Sequence, residues 1–243
     1  MRNDGRSPQQ MRAVKITPDF VPVAEGSVLI EVGQTRVICT ATVDDGVPSF
    51  LKGSGKGWVT AEYGMLPRST LTRSPREVTK GRAGGRTHEI QRLIGRSLRA
   101  VTDMEKLGER TLFLDCDVIQ ADGGTRTASI TGAFVAMGLA MRRMVESGTL
   151  TVAPIRDYVA ATSIGIVDGE IMLDLCYEED ARADVDMNVV ATGSKKLIEV
   201  QATAERRPFD DAQLAKMMAL ARQGIESLVV RQQAVLSGLP LRQ

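Results

Sequence analysis

From Ala121 to Thr127 the chain reads Ala-Asp-Gly-Gly-Thr-Arg-Thr, after an apolar run and before a helical pattern. At a strand-to-helix junction the unpaired backbone N–H groups and the helix dipole attract an anion. Gly123 and Gly124 let the backbone approach a ligand closely. Thr125 and Thr127 add hydroxyl donors, and Arg126 adds a planar, permanently charged fork that matches phosphate oxygens. No GxxxxGK[ST] sequence occurs, so this is not a P-loop. The same residues could also form a glycine-rich turn with a helix cap and a surface arginine, and local chemistry leaves both readings open.

A second group is acidic: Glu178-Glu179-Asp180, then Asp184-Val185-Asp186-Met187-Asn188. If 183–189 is a strand, Asp184, Asp186 and Asn188 share one face and Val185, Met187 and Val189 the other. Such oxygen ligands suit a hard cation such as Mg²⁺, which binds through one or two carboxylates plus substrate phosphates. A solvated acidic edge has the same pattern. A third group is basic. Between Leu66 and Arg86 lie Arg68, Arg73, Arg76, Lys80, Arg82 and Arg86, with Glu77 the single acid and no aromatic residue. Such a loop suits phosphate contacts that position a nucleic acid, not base stacking. Its length points to a function, because long structureless loops are uncommon in compact domains. His88 reads as a surface or capping residue, and Asp115 and Asp117 as partners of nearby arginines. An anion cradle, a metal-type acidic face and a basic arm together suggest phosphoryl chemistry on a nucleic acid.

These groups need elements to hold them. Ser27–Val32 and Thr35–Val43 read as strands joined by a tight Gly33-Gln34 turn, with Val37, Cys39, Ala41 and Val43 on one face. Trp58–Met65 and Thr111–Ile119 are further strands. Ile90, Leu93, Ile94, Leu98 and Val101 are spaced for a helix over Thr87–Val101. The helix after the glycine loop carries Ile130, Phe134, Met137, Met141 and Val145 on one face and stops near Gly148. Val159–Val167, Asp168-Gly169 and Glu170–Cys176 form a hairpin, followed by strands at Asp184–Val190 and Leu197–Thr203. A last helix starts near Asp210, which has capping-box spacing to Gln213, and Gly238 and Pro240 end it. The expected fold is α/β: a single domain over 1–243, of two pseudo-repeated strand-plus-helix halves, about 11–148 and 155–240.

The 243 residues hold 31 Lys+Arg against 30 Asp+Glu, a net charge of +1. Any polyanion must therefore meet locally concentrated positive charge. No apolar run approaches the roughly 20 residues that span a bilayer, and the polar N-terminus lacks the apolar region of a secretory signal. Cys39, Cys116 and Cys176 are scattered and form no CxxC, which reads as reduced core cysteines of a cytoplasmic protein. One histidine and no Cys pair argue against a structural zinc site.

Five blocks carry a resemblance: RNDGR at 2–6, KGWVTAEYGMLPRST at 56–70, GGRTHEIQRLIGRSLRAV at 84–101, CDVIQADGGTRTASITGA at 116–133 and YEEDARADVDMNVV at 177–190. Together they resemble the bacterial ribonuclease PH family over essentially the whole chain. The resemblance implies a phosphorolytic 3′-to-5′ exoribonuclease, also called a tRNA nucleotidyltransferase, acting on precursor tRNA and other RNA 3′ ends. Inorganic phosphate is the co-substrate, nucleoside diphosphates leave, and the reverse reaction adds nucleotides. It implies a homohexamer, a trimer of dimers, with neither DNA nor a membrane as partner. Carried onto this sequence, Arg86, Gly124, Thr125 and Arg126 would bind phosphate. Asp180 and Asp186 would hold the divalent metal, Mg²⁺, or assist proton transfer. Arg68, Arg73 and Arg76 would grip tRNA. Two positions depart from the family pattern: Cys176 replaces a polar residue, and Lys195-Lys196 a glycine-containing turn. Two rivals are a non-catalytic ring subunit, which would lack the phosphate arginine or the aspartates, and a metal-dependent hydrolase, which needs no phosphate cradle.

Overall fold

Strands that alternate in burial build most of one sheet, largely buried strands the centre of a second, and two long helices hold them together. A computed structural model describes residues 2–237. The first sheet has the order β1-β2-β3-β5-β4, from Val14–Pro18, Gly26–Val32, Thr35–Asp45, Arg110–Gln120 and Trp58–Met65. β2 and β3 form the expected hairpin, with Gly33 at φ +57°. β4 runs parallel to β5, and α1 (Gly85–Val101) provides the crossover such a pair needs. The second sheet has the order β7-β6-β8-β9, from Glu170–Leu173, Val159–Val167, Val185–Thr192 and Leu197–Ala204.

Helix α3 (Thr125–Glu146) lies between the sheets, and α5 (Asp211–Val235) covers the far face of the second. This layering explains why every residue of β6 is buried. Val159 and Ala161 join the core that contains α3, while Ala160, Ile164 and Ile166 join the core under α5. The expectation of one apolar face on α3 needs correction. Seventeen of its residues are buried, around the whole helix, because it packs on both sheets. Asp210 caps α5 as its spacing predicts: its carboxylate accepts from the Gln213 N–H at 2.7 Å, and Gln213 accepts in return at 3.0 Å. The end of this helix at Gly238 and Pro240 lies outside the described residues.

Other expectations shift. β1 is an unforeseen strand, whose burial does not alternate cleanly. Two short helices, α2 (Met104–Leu107) and α4 (Tyr177–Asp180), are also new. The hairpin strand expected to reach Cys176 stops at Leu173, because Asp174 turns to φ +54°. Lys195 takes φ +69° in the β8–β9 turn, the left-handed conformation that a glycine would adopt freely, and its ammonium pairs with Glu226 at 2.6 Å.

Candidate active site

The glycine loop ends β5 and opens α3, so the helix N-terminus points its free N–H groups out of the core. Gly123 and Gly124 sit at φ +75° and +67°. A side chain at Gly123 would strike the Leu175 carbonyl oxygen at 2.5 Å, so the loop lies directly on the backbone that leads to α4. The Tyr177 N–H donates to Asp122 Oδ1 at 3.1 Å across the same contact. This abutment brings the two halves of the chain together.

The result is a cleft of about 220 Å³, lined by Arg86, Gly124, Thr125 and Arg126 on one side and Asp180, Asp186 and Asn188 on the other. Met65, Thr70 and Tyr177, whose ring is largely exposed, also line it. All six expected phosphate and acidic residues thus share one cleft. Arg68, Arg73 and Arg76 do not line it. They project, exposed, from the loop at its edge, and none forms an ion pair among the described residues. The base of that loop is fixed to the cradle by Ala121 N–H donating to the Ser69 carbonyl at 2.8 Å. Asp184 lies just before β8, which starts at Val185 and not at the expected Asp184, and it stands outside the cleft lining, facing Arg207 at 3.9 Å.

Arg126 is held by neighbouring side chains. Its Nη1 donates to Gln201 Oε1 at 2.7 Å and to Glu89 Oε1 at 3.2 Å, and Gln201 Nε2 closes the ring onto Glu89 at 3.0 Å. These bonds hold the Glu89 carboxyl below its ordinary range, the Gln201 bond most strongly, with Arg126 and Arg86 adding to it. The Thr125 hydroxyl lies 2.9 Å from the hydroxyl of buried Tyr63. On the opposite wall, burial raises the Asp180 carboxyl, against the pull of Arg86 and Arg126. Burial and the charge of Asp180 push Asp186 up to about 6. Two partly desolvated carboxylates that oppose each other's ionisation are a place where a cation would be bound. Among the described residues no group of three or more His, Cys, Asp or Glu is placed to hold a metal. That pair and the Asn188 amide nonetheless fit an ion completing its shell with water and substrate phosphate.

α4 brings Asp180 to this wall and is anchored through Glu179. Its carboxylate accepts from the Cys176 N–H at 3.0 Å and binds Arg2 at 2.7 and 2.6 Å, both side chains buried. His88 is exposed, beside Gln91, as expected. Asp115 and Asp117 are a correction. They share the outward face of the first sheet with Glu62, and none of the described arginines pairs with them. Partial burial, then the Glu62 charge, raises both carboxyls. Sequence reasoning missed Glu89, Gln201, Tyr63 and the arginines of the N-terminal segment. Each acts by tertiary contact, and no local spacing signals it.

Comparison with known proteins gives one direction. The chain matches the 3′ exoribonuclease family in two parts, domain 1 over residues 10–142 and domain 2 over 157–224. It is 65% identical over 238 residues to the ribonuclease PH of Solibacter usitatus (strain Ellin6076), covering 98% of this chain and all of that protein. Two solved structures share the fold. Rice (Oryza sativa) Rrp46 has a TM-score of 0.78 at 18% identity, covering 97% of this chain and all of that one. A chain of the Archaeoglobus fulgidus exosome, solved with RNA bound to the active site, has a TM-score of 0.78 at 22% identity over 95% and 92%.

Proposed function

The chain belongs to the 3′ exoribonuclease family as a phosphorolytic enzyme of the ribonuclease PH type, and from that premise we propose how its cleft works and on which RNA. The observation that carries the reading is the two-sided cleft: Arg86, Arg126 and the start of α3 on one wall, Asp180 and Asp186 on the other. Phosphate binds in the cradle of Gly124, Thr125, Arg126 and Arg86. One of its oxygens attacks the last phosphodiester, the P–O3′ bond breaks, a nucleoside diphosphate leaves, and the shortened RNA keeps a 3′ hydroxyl after taking up a proton. Both reactants are anions, so the arginines offset their repulsion and align the nucleophile.

Asp180 and Asp186 would hold Mg²⁺, which supplies charge stabilisation at the scissile phosphate or the leaving oxygen. In the alternative role, with no cation on it, Asp186 delivers the proton to that oxygen, which suits a carboxyl that burial and Asp180 push up to about 6. The substrate we propose is the 3′ end of precursor tRNA, gripped by Arg68, Arg73 and Arg76, with other RNA 3′ ends also accepted. We place the enzyme in the cytoplasm, as a single-domain subunit of a homohexameric ring, a trimer of dimers. Support for one domain comes from the α3 core, which includes residues of both halves. No described helix is long and apolar enough to cross a membrane.

Product analysis tests the reading. The protein is incubated with Mg²⁺ and a 3′-extended tRNA, with and without inorganic phosphate. Phosphate-dependent release of nucleoside diphosphates is expected. Nucleoside monophosphates without added phosphate would mean hydrolysis, and tight RNA binding without product a non-catalytic ring subunit.

A further inference from the structure

A loop with two adjacent glycines is free to flip its peptides, so something outside it must fix which way they face. That fixing comes from behind the cleft. Thr35, the fully buried first residue of β3, uses its single hydroxyl twice: it accepts from the Asp122 N–H at 2.9 Å and donates to the Gly123 carbonyl at 2.6 Å. Arg12, 6% exposed, donates to the carbonyl of Asp122 through Nη1 and to that of Gly123 through Nη2 at 3.4 Å. The other edge of its guanidinium is locked on Asp174, with Nε to Oδ2 at 2.9 Å and Nη2 to Oδ1 at 2.7 Å. All peptides here are trans, and in a trans peptide the N–H points away from the C=O. With the carbonyls of Asp122 and Gly123 held at the back, the N–H groups of Gly123 and Gly124 are turned toward the cleft these glycines line.

We propose that Thr35 and Arg12 are positioning residues for the reaction: by gripping the two carbonyls from behind, they aim the Gly123 and Gly124 N–H groups at the attacking phosphate. Released, a peptide could rotate and present a carbonyl oxygen to the phosphate, turning attraction into repulsion. Neither side chain lines the phosphate cleft, so their action is through the loop. This rests on the phosphorolytic reading of the cleft.

The test is Thr35→Val, which keeps the shape and suits a strand but removes the hydroxyl, with Thr35→Ser restoring it. Phosphorolysis is followed with inorganic phosphate varied at saturating RNA, and with RNA varied at saturating phosphate. Thr35→Val should raise KM for phosphate about tenfold and leave KM for RNA unchanged, with Thr35→Ser returning it to the wild-type range. A merely structural role would lower kcat through a smaller active fraction, with KM for phosphate unmoved, and that result overturns the proposal. If Thr35→Val does not fold, Arg12→Lys, which keeps the charge and loses the fork, is judged by the same split. Wild-type turnover that ignores phosphate would sink the premise itself; phosphate-dependent wild type with an unaffected variant sinks the positioning role alone.

Discussion

Arg126 is the cleft residue whose geometry is most tightly specified on the proposed phosphate wall. Glu89 and Gln201 fix its guanidinium by hydrogen bonds at 3.2 and 2.7 Å, which cuts the ordering that binding an anion there would cost. Arg126→Ala should lower phosphorolysis by about 10²-fold or more, read as initial rates of diphosphate release. Asp180→Asn should abolish turnover and leave the circular dichroism spectrum unchanged; near-normal turnover would refute its role in metal binding or proton transfer. Asp186 behaves differently, because its carboxyl titrates at about 6 in the fold against the usual 3.8. Between those values the folded chain binds this proton more tightly than the unfolded chain does. The contribution of the group to stability is therefore full at acidic pH and declines as pH rises through that window. Asp186→Asn should stabilise the metal-free protein at pH 7 by about 1 to 2 kcal/mol and by less at pH 5, as urea unfolding at the two pH values would show.

Among the elements, the basic loop between β4 and α1 is the one whose role can be separated from chemistry. Arg73 is exposed and outside the cleft. Arg73→Ala should weaken tRNA binding and make it less salt-dependent, while short oligonucleotides are cut as before. Equal losses on both substrates would argue against a separate arm. Several elements were readable from residues alone. β4 and β6 have the bounds that alternation, turns and apolar runs predict, and Asp210 caps α5 as its spacing to Gln213 requires. β1 escaped because an edge strand with a proline and irregular burial has no period to detect. α3 misled because a helix between two sheets has no solvent face. Both walls of the cleft were visible as motifs. Their supports were not, since the Glu89–Gln201 clamp and the Arg12–Asp174 pair join residues 112 and 162 positions apart.

At the scale of the whole molecule, the two halves meet at both the core and the cleft. The cleft takes its anion wall from the first and its acidic wall from the second. The helix that starts at the phosphate cradle then runs 22 residues between the two sheets. The glycine end of the cradle is therefore anchored in the core of the fold. Heat should extinguish turnover and melt the fold together, with midpoints within about 2 °C of each other when activity and circular dichroism are followed in the same buffer. Inactivation well below the melting transition would mean that the cleft comes apart first. If the two midpoints coincide, warming leaves no range of temperature in which a folded but idle population accumulates: each molecule is either whole and working or unfolded.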